Sequence, residues 1–94
     1  MKTIDLYYKV EPLSAREVMA RIDGKLHALA KVHHGENEGC GIGFGIGFGE
    51  RDTSFVFNSD VDYDAFLLEV EKLIKAEKAL GVKLKWRERV LDAS

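Results

Sequence analysis

The segment from Gly39 to Gly49 alternates strictly between glycine and an apolar residue, reading Gly-Cys-Gly-Ile-Gly-Phe-Gly-Ile-Gly-Phe-Gly. Because strand side chains alternate between two faces, it predicts a strand with one apolar face and one face of bare backbone. Each glycine costs a strand roughly 0.5–1 kcal/mol relative to alanine. Two explanations stay open: a ligand or partner that approaches the backbone closely, or a strand tolerated within an otherwise strong sheet.

The rest of the chain reads as three more strands and two helices. Alternating hydrophobicity predicts strands over residues 3–10, 53–58 and 82–91. Helical spacing predicts one helix from Ser14, which forms a capping box with Glu17, to Gly35 at its C-terminus, and a second from residue 59 or 60 to Gly81. Residues 35–38 are predicted as a polar link, and residues 50–52 as a turn.

This order of elements is βαββαβ, which is typical of the α+β ferredoxin-like fold. It predicts a four-stranded antiparallel sheet with two helices on one face. The glycine strand and the last strand are expected at the two edges of that sheet.

The composition predicts a single domain spanning residues 1–94. The formal net charge is −2, so a polyanion site would need local clustering of cations. No apolar run approaches the ~20 residues of a membrane span, and no secretion signal opens the chain. Cys40 is the single cysteine. We therefore expect a cytoplasmic protein with no membrane contact.

The sheet face away from the helices is predicted to carry a candidate RNA-binding set. Its members are Lys83, Lys85, Arg87 and Arg89 on the last strand and Tyr7 and Lys9 on the first. Clustered cations supply the salt-dependent part of nucleic-acid affinity. With Thr3, Asp5, Ser54, Val56 and Asn58 beside them, the face is predicted as a positive edge that grades into a polar, nearly featureless plane. The alternative is that lysines and arginines on an edge strand prevent pairing with another chain.

The three histidines differ in their predicted positions on the first helix. His33 falls within the apolar stripe and is predicted as a core residue, whereas His27 and His34 lie toward the polar side. Asp23, one turn before His27, is of the type that orients an imidazole for acid–base work. His27 is therefore the candidate catalytic residue; the alternative is that this spacing belongs to an ordinary solvated flank of the helix. No Cys-x-x-Cys pair accompanies Cys40, so neither a metal nor a cofactor is predicted.

Two short motifs, Gly24-Lys25-Leu26-His27 and Gly41-Ile42-Gly43-Phe44, resemble a known family. They are similar to segments in the N-terminal, ferredoxin-like half of the CRISPR repeat-processing endoribonucleases of type I-F systems. The resemblance implies that His27 matches the catalytic histidine of that family. The reaction it implies is metal-independent attack by a ribose 2′-OH on the adjacent phosphate. The family's arginine-rich RNA-gripping helix and partner serine belong to a C-terminal half without counterpart here, so the resemblance implies no cleavage by this chain alone.

Two classes of function are therefore expected. The first is an RNA-associated or CRISPR-associated binding module, which a second chain would complete as a metal-independent endoribonuclease. The second is a small protein-binding inhibitor, of the anti-CRISPR or immunity type, that docks on a partner protein. The glycine strand then offers an edge for β-augmentation, and a homodimer through this edge is a further prediction. The expected partner is thus RNA or a CRISPR-associated protein.

Overall fold

The computed structural model describes residues 2–10, 15–44 and 49–90, with the side chains of residues 15, 40–44 and 90 left out. Six elements follow in the predicted order. They are β1 (Lys2–Val10), α1 (Ala15–Val32), β2 (Glu36–Phe44), β3 (Gly49–Phe57), α2 (Asp60–Ala79) and β4 (Lys85–Val90). Ser59 is the N-cap of α2, as predicted, and its hydroxyl accepts a hydrogen bond from the Asp62 N–H. The predicted cap of α1, Ser14, lies outside the described residues.

The four strands form one antiparallel sheet in the order β2-β3-β1-β4. Strand β1 pairs with β3 along its whole length and with β4 from Lys2 to Tyr7. The ferredoxin-like α+β fold predicted from the sequence is therefore the observed one, with the glycine strand and the basic strand at the two edges.

The core lies between the sheet and the two helices. Alternate residues of β1 and β3 are almost fully buried there: Ile4, Leu6, Tyr8, Val10, Phe55 and Phe57. The helices cover them with another apolar set: Ile22, Leu26 and Ala30 from α1, and Tyr63, Phe66, Val70 and Leu73 from α2. Burying a large apolar side chain contributes roughly 1.5–3 kcal/mol, so the period-two pattern decides which sheet face meets the helices.

A buried ion pair also joins the two helices. Glu77 is completely buried, and its carboxylate accepts hydrogen bonds from Arg21 Nε at 3.0 Å and Nη2 at 2.6 Å. These bonds raise the pKa of Arg21 above its ordinary value, although partial desolvation opposes them. Leu80, by contrast, is the C-cap of α2 and is 63% exposed, so the buried stripe of the helix does not extend to it.

Strands β2 and β3 are displaced relative to the predicted ones. The polar link over 35–38 is wrong, because β2 already begins at Glu36, which pairs with Val56 of β3. Residues 45–48 of the predicted glycine strand lie outside the described part of the chain. The turn predicted at 50–52 is also wrong, because Arg51 pairs with Tyr8 within the β1–β3 ladder. Pairing with a central strand therefore outweighs the polar, turn-like composition of these residues.

Strand β4 begins later than predicted, at Lys85 rather than Val82. Gly81 ends α2 as predicted, with a left-handed φ of 88°. The Val82 and Gly81 N–H groups donate to the carbonyls of Glu77 and Lys78, which is a Schellman motif. Lys83 consequently lies in the connection before β4, not within the strand.

The C-terminus of α1 has the same motif, but glycine does not occupy the left-handed position. His34 does, with φ 61°, so the prediction of Gly35 at this position is wrong. Gly35 follows it, and its N–H donates to the Ala30 carbonyl at 2.7 Å. A Cβ at Gly35 would overlap the ring of Phe57. Glycine is therefore required here by packing rather than by φ. His33, predicted in the core, is only half-buried.

Two neighbouring substitutions should have opposite effects on stability. Gly35→Ala should lower the free energy of unfolding by roughly 1–3 kcal/mol, because the fully packed Phe57 ring cannot move aside. His34→Gly should raise it by about 1 kcal/mol, because glycine adopts the left-handed conformation without strain. Urea unfolding of both variants measures the two effects. A neutral Gly35→Ala variant would contradict the packing account.

Candidate functional site

The sheet face away from the helices is built from rows of side chains that cross the strands. Successive rows follow from the strand register: Val56–Thr3–Arg89, Ser54–Asp5–Arg87, Asp52–Tyr7–Lys85 and Glu50–Lys9. Paired residues in antiparallel strands point to the same face. The neighbouring positions of β2 are Glu36 in the first row and Gly39, Gly41 and Gly43 in the other three. This surface, which we call the open face, therefore has bare backbone beside three of its four rows, as the glycines of the sequence predict.

Asp5 binds the two arginines of the predicted RNA-binding set. Its carboxylate lies 3.2 Å from Arg87 Nη2 and 2.7 Å from Arg89 Nε, and it accepts the Ser54 hydroxyl at 2.6 Å. Arg89 also donates to Glu38 Oε2 at 3.3 Å. Burial opposes ionisation of Asp5, but these hydrogen bonds outweigh it and hold its pKa below the ordinary value. Both guanidinium groups thus have a carboxylate partner within the protein.

The open face is consequently not a positive edge on a featureless plane. Glu50 and Asp52, which the sequence analysis assigned to a turn, point outward from β3, and both are exposed. With Asp5, Tyr7, Gly39, Ser54, Arg87 and Arg89 they line a depression of about 600 Å³. The prediction of a positive edge that grades into a polar, nearly featureless plane is wrong, because Glu50 and Asp52 are brought beside the arginines.

The other four members of the predicted RNA-binding set meet in a second depression, which we call the lysine groove. It has a volume of about 310 Å³ and is lined by Tyr7, Tyr8, Lys9, Glu50, Gly81, Lys83 and Lys85. Lys83 and Lys85 have no carboxylate partner within the described residues. Three ammonium groups face one carboxylate here, so this groove is the most cationic of the described depressions.

His27 lies on the opposite, helix-covered side of the sheet. Its exposed imidazole makes an edge contact with the ring of Phe55, at 5.3 Å between centroids. The predicted orienting residue, Asp23, is engaged elsewhere. One of its oxygens accepts the Tyr8 hydroxyl at 2.9 Å, and the other accepts Arg51 Nη2 at 2.6 Å. Burial, and then this bond to Asp23, raise the pKa of Tyr8 above its ordinary value.

The depression beside His27 is separate from the lysine groove. It is lined by His27, Ala30, Lys31, His34, Gly35, Glu36, Asn37 and Phe55. It lies near the end of the sheet where β1 begins, whereas the lysine groove lies where β1 ends, at Lys9. The structure therefore brings Tyr7, Lys9, Lys83 and Lys85 together but leaves His27 apart from them. Arg87 and Arg89 belong to the neighbouring depression.

Glu50 and Asp52 are the site residues that sequence analysis missed. No alternation marks them as strand residues, because residues 50–54 are polar at every position. The ion pair of Asp5 with two arginines had no sequence signal either, since it joins residues more than 80 positions apart. In the described part of the chain, no cluster of three or more metal-ligating side chains occurs. No described helix is long and apolar enough to cross a membrane.

Neither a protein-family model nor a curated protein matches the sequence. Several solved structures are similar. The de novo designed protein Foldit4 aligns with a TM-score of 0.71 at 10% identity, over 97% of this chain and 98% of that chain. An ACT domain protein from Streptococcus pneumoniae aligns with a TM-score of 0.66 at 11% identity, over 93% and 89%.

The C-terminal domain of the MgtC protein from Mycobacterium tuberculosis is also similar. It aligns with a TM-score of 0.58 at 12% identity, over the whole of this chain and 95% of that domain. Identities this low show the shared fold and nothing of function. The chain is therefore a ferredoxin-like α+β protein, and its function must be argued from its own surface.

The ion pairs of Asp5 should make stability depend on pH. A carboxyl whose pKa is lowered by folding stabilises the protein above its unfolded value, near 3.8, and loses that contribution as the pH falls through the folded value. We expect Asp5→Asn to cost roughly 1–2 kcal/mol at pH 7. The difference from the parent protein should shrink below about pH 4. Urea unfolding of both proteins between pH 3 and 7 measures it. A difference that stays constant across this range would contradict the assignment.

Proposed function

We propose that this chain is an RNA-associated binding module that holds the RNA backbone in the lysine groove and does not cleave RNA by itself. The observation that carries the proposal is the convergence of Lys9, Lys83 and Lys85 on one groove beside Tyr7. Clustered ammonium groups bind phosphates by releasing counterions, and an adjacent aromatic ring offers a surface for a base. The resemblance to the N-terminal half of the type I-F repeat-processing endoribonucleases supports RNA as the ligand and a cytoplasmic setting.

The absence of cleavage follows from the surroundings of His27. Attack by a 2′-OH needs a base at the nucleophile and stabilisation of charge at the phosphate. The Asp23 carboxylate is bonded to Tyr8 and Arg51. The lysine groove lies on the other side and at the other end of the sheet. A phosphate held by the lysines is thus remote from His27, and only a second chain that brings RNA to this helix would give the histidine a catalytic role.

The lysine groove is tested by reversing its charge. In Lys83→Glu/Lys85→Glu, binding of a single-stranded RNA oligonucleotide should weaken at least about 100-fold at low salt. The slope of log affinity against log salt should fall by about 0.7 for each phosphate that the variant no longer neutralises. Fluorescence anisotropy over a salt series measures both quantities.

The matched control is Lys72→Glu/Lys75→Glu on the exposed side of α2. It changes the net charge of the protein by the same amount, away from the groove. Equal losses in the two double variants would show that binding follows net charge alone. Affinity independent of salt would also exclude the proposal.

A protein-binding inhibitor of the anti-CRISPR or immunity type is the second candidate. Two observations favour it. The open face holds charges of both signs in fixed positions through the Asp5 ion pairs, and such fixed patterns select protein partners. The edge strand β2 is nine residues long and pairs only with β3 among the described strands. Its outer side suits β-augmentation by a partner, or by a second copy in a homodimer.

The inhibitor hypothesis predicts a stable complex with a component of a type I-F CRISPR system, which co-purification would detect. Glu50→Lys/Asp52→Lys should weaken that complex by about tenfold or more, because reversed charges oppose each other across an interface. The same double variant should not weaken the binding of an oligouridylate, because it adds positive charge beside the lysine groove. Co-purification and RNA-binding measurements on the parent protein and this double variant therefore distinguish the two candidate functions.

A further inference from the structure

Tyr7 stands at the centre of a row with opposite charges on its two sides. Asp52 of β3 is its register partner on one side, and Lys85 of β4 is its partner on the other. Directly paired residues have Cβ atoms about 4.5–5.5 Å apart, so the two charged residues flank Tyr7 on the same face of the sheet. Tyr7 is half-buried and makes no ring contact with another aromatic side chain in the described ranges.

The two depressions of the open face meet at this row. Tyr7 and Glu50 line both the larger depression, which contains Asp52 and Ser54, and the lysine groove. Beyond Asp52 in the same row lies Gly41 of β2, which has no side chain to stand above the sheet. A flat ligand can therefore lie on Tyr7 with one end toward the lysines and the other toward Asp52.

We propose that this row is a binding site for one unpaired nucleotide of RNA and that it prefers guanosine. The base stacks on Tyr7, its phosphate lies in the lysine groove, and its Watson–Crick edge donates to the Asp52 carboxylate. This inference rests on the proposed RNA-binding function and names the ligand of the same site.

The preference for guanine follows from the donors and acceptors. A carboxylate only accepts hydrogen bonds, and it has two oxygens. The N1–H and N2–H groups of guanine are adjacent donors that can meet both oxygens at once. Cytosine and adenine present one amino group on this edge, and the single N–H of uracil is flanked by two carbonyl oxygens that a carboxylate repels. Bidentate, charge-assisted hydrogen bonds are stronger than single ones, so guanine is the base expected to bind Asp52 most tightly.

Asp52 rather than Glu50 is the reader of the base. Glu50 is the register partner of Lys9, whose ammonium competes for its carboxylate. Asp52 is exposed and forms no ion pair with another described residue.

The nucleotide must also be unpaired. In a duplex the Watson–Crick edge is already occupied, and the major groove of A-form RNA is too deep and narrow for side chains on a sheet to enter. Stacking on an exposed aromatic residue is the usual way in which proteins hold single-stranded bases. A single-stranded segment is therefore the expected form of the ligand.

The test compares two probes, an oligouridylate and the same oligomer with one guanosine in its centre. The parent protein should bind the guanosine oligomer about tenfold more tightly. Asp52→Asn should lower the affinity for the guanosine oligomer to that for the oligouridylate, because the neutral amide no longer offers two acceptor oxygens to guanine. Replacing guanosine by inosine, which lacks the N2 amino group, should remove most of the preference in the parent protein.

The stacking step is tested with a matched pair of variants. Tyr7→Ala should weaken the binding of both oligomers about tenfold, whereas Tyr7→Phe, which keeps the ring, should weaken it much less. Thermal unfolding checks that each variant is folded. If Tyr7→Ala does not fold, the guanosine preference of Asp52→Asn, an exposed and nearly isosteric change, tests the inference instead.

The outcomes separate this inference from the proposed function. If the parent prefers no base and Asp52→Asn changes nothing, while Lys83→Glu/Lys85→Glu still loses RNA, the nucleotide site is wrong and the RNA-binding function stands. If the parent binds neither oligomer at low salt, both are wrong. A preference for guanosine that vanishes in Asp52→Asn establishes the site.

Discussion

The central position of β1 is the constraint on which the rest of the structure depends. This strand is paired on both sides, and its two faces have opposite characters. Ile4 and Leu6 are completely buried beneath the helices. On the other face, Asp5 holds Arg87 and Arg89 in place. A shift of one residue in register would exchange the two faces, burying a carboxylate beneath the helices and exposing the apolar core. The same alternation therefore fixes both the core and the pattern of charges on the open face.

The fold was predictable because it depends on local periodicity, which the sequence shows directly. Strand limits were less predictable, because they depend on pairing with distant segments. Residues 50–52 have the composition of a turn, yet they lie in β3 because β1 offers them partners. The left-handed position of His34 was hidden for a similar reason. Gly35 is adjacent and looks like the residue that ends the helix, but its lack of a side chain leaves room for the ring of Phe57 instead.

The candidate site was predictable only in part. The alternation along β4 correctly assigns Lys85, Arg87 and Arg89 to one face, but charge in a sequence does not reveal charge on a surface. Glu38, Glu50 and Asp52 come from two other strands and add negative charges to the face, beside Asp5, which the sequence already placed there. The division of the six predicted RNA-binding residues between two depressions could not be read from β4 alone. It is set by acidic residues whose positions only the folded sheet defines.

Glu77 takes part in two structures at once. Its buried carboxylate binds Arg21 of the other helix, while its carbonyl oxygen accepts the N–H groups of Leu80 and Val82. Those two backbone bonds turn the chain out of α2 toward Lys83. The residue that joins the two helices is thus also the residue whose carbonyl oxygen fixes the turn before Lys83, at the rim of the lysine groove. A displacement of α2 along its axis would therefore displace Lys83 as well, because only Val82 separates that residue from the glycine that ends the helix.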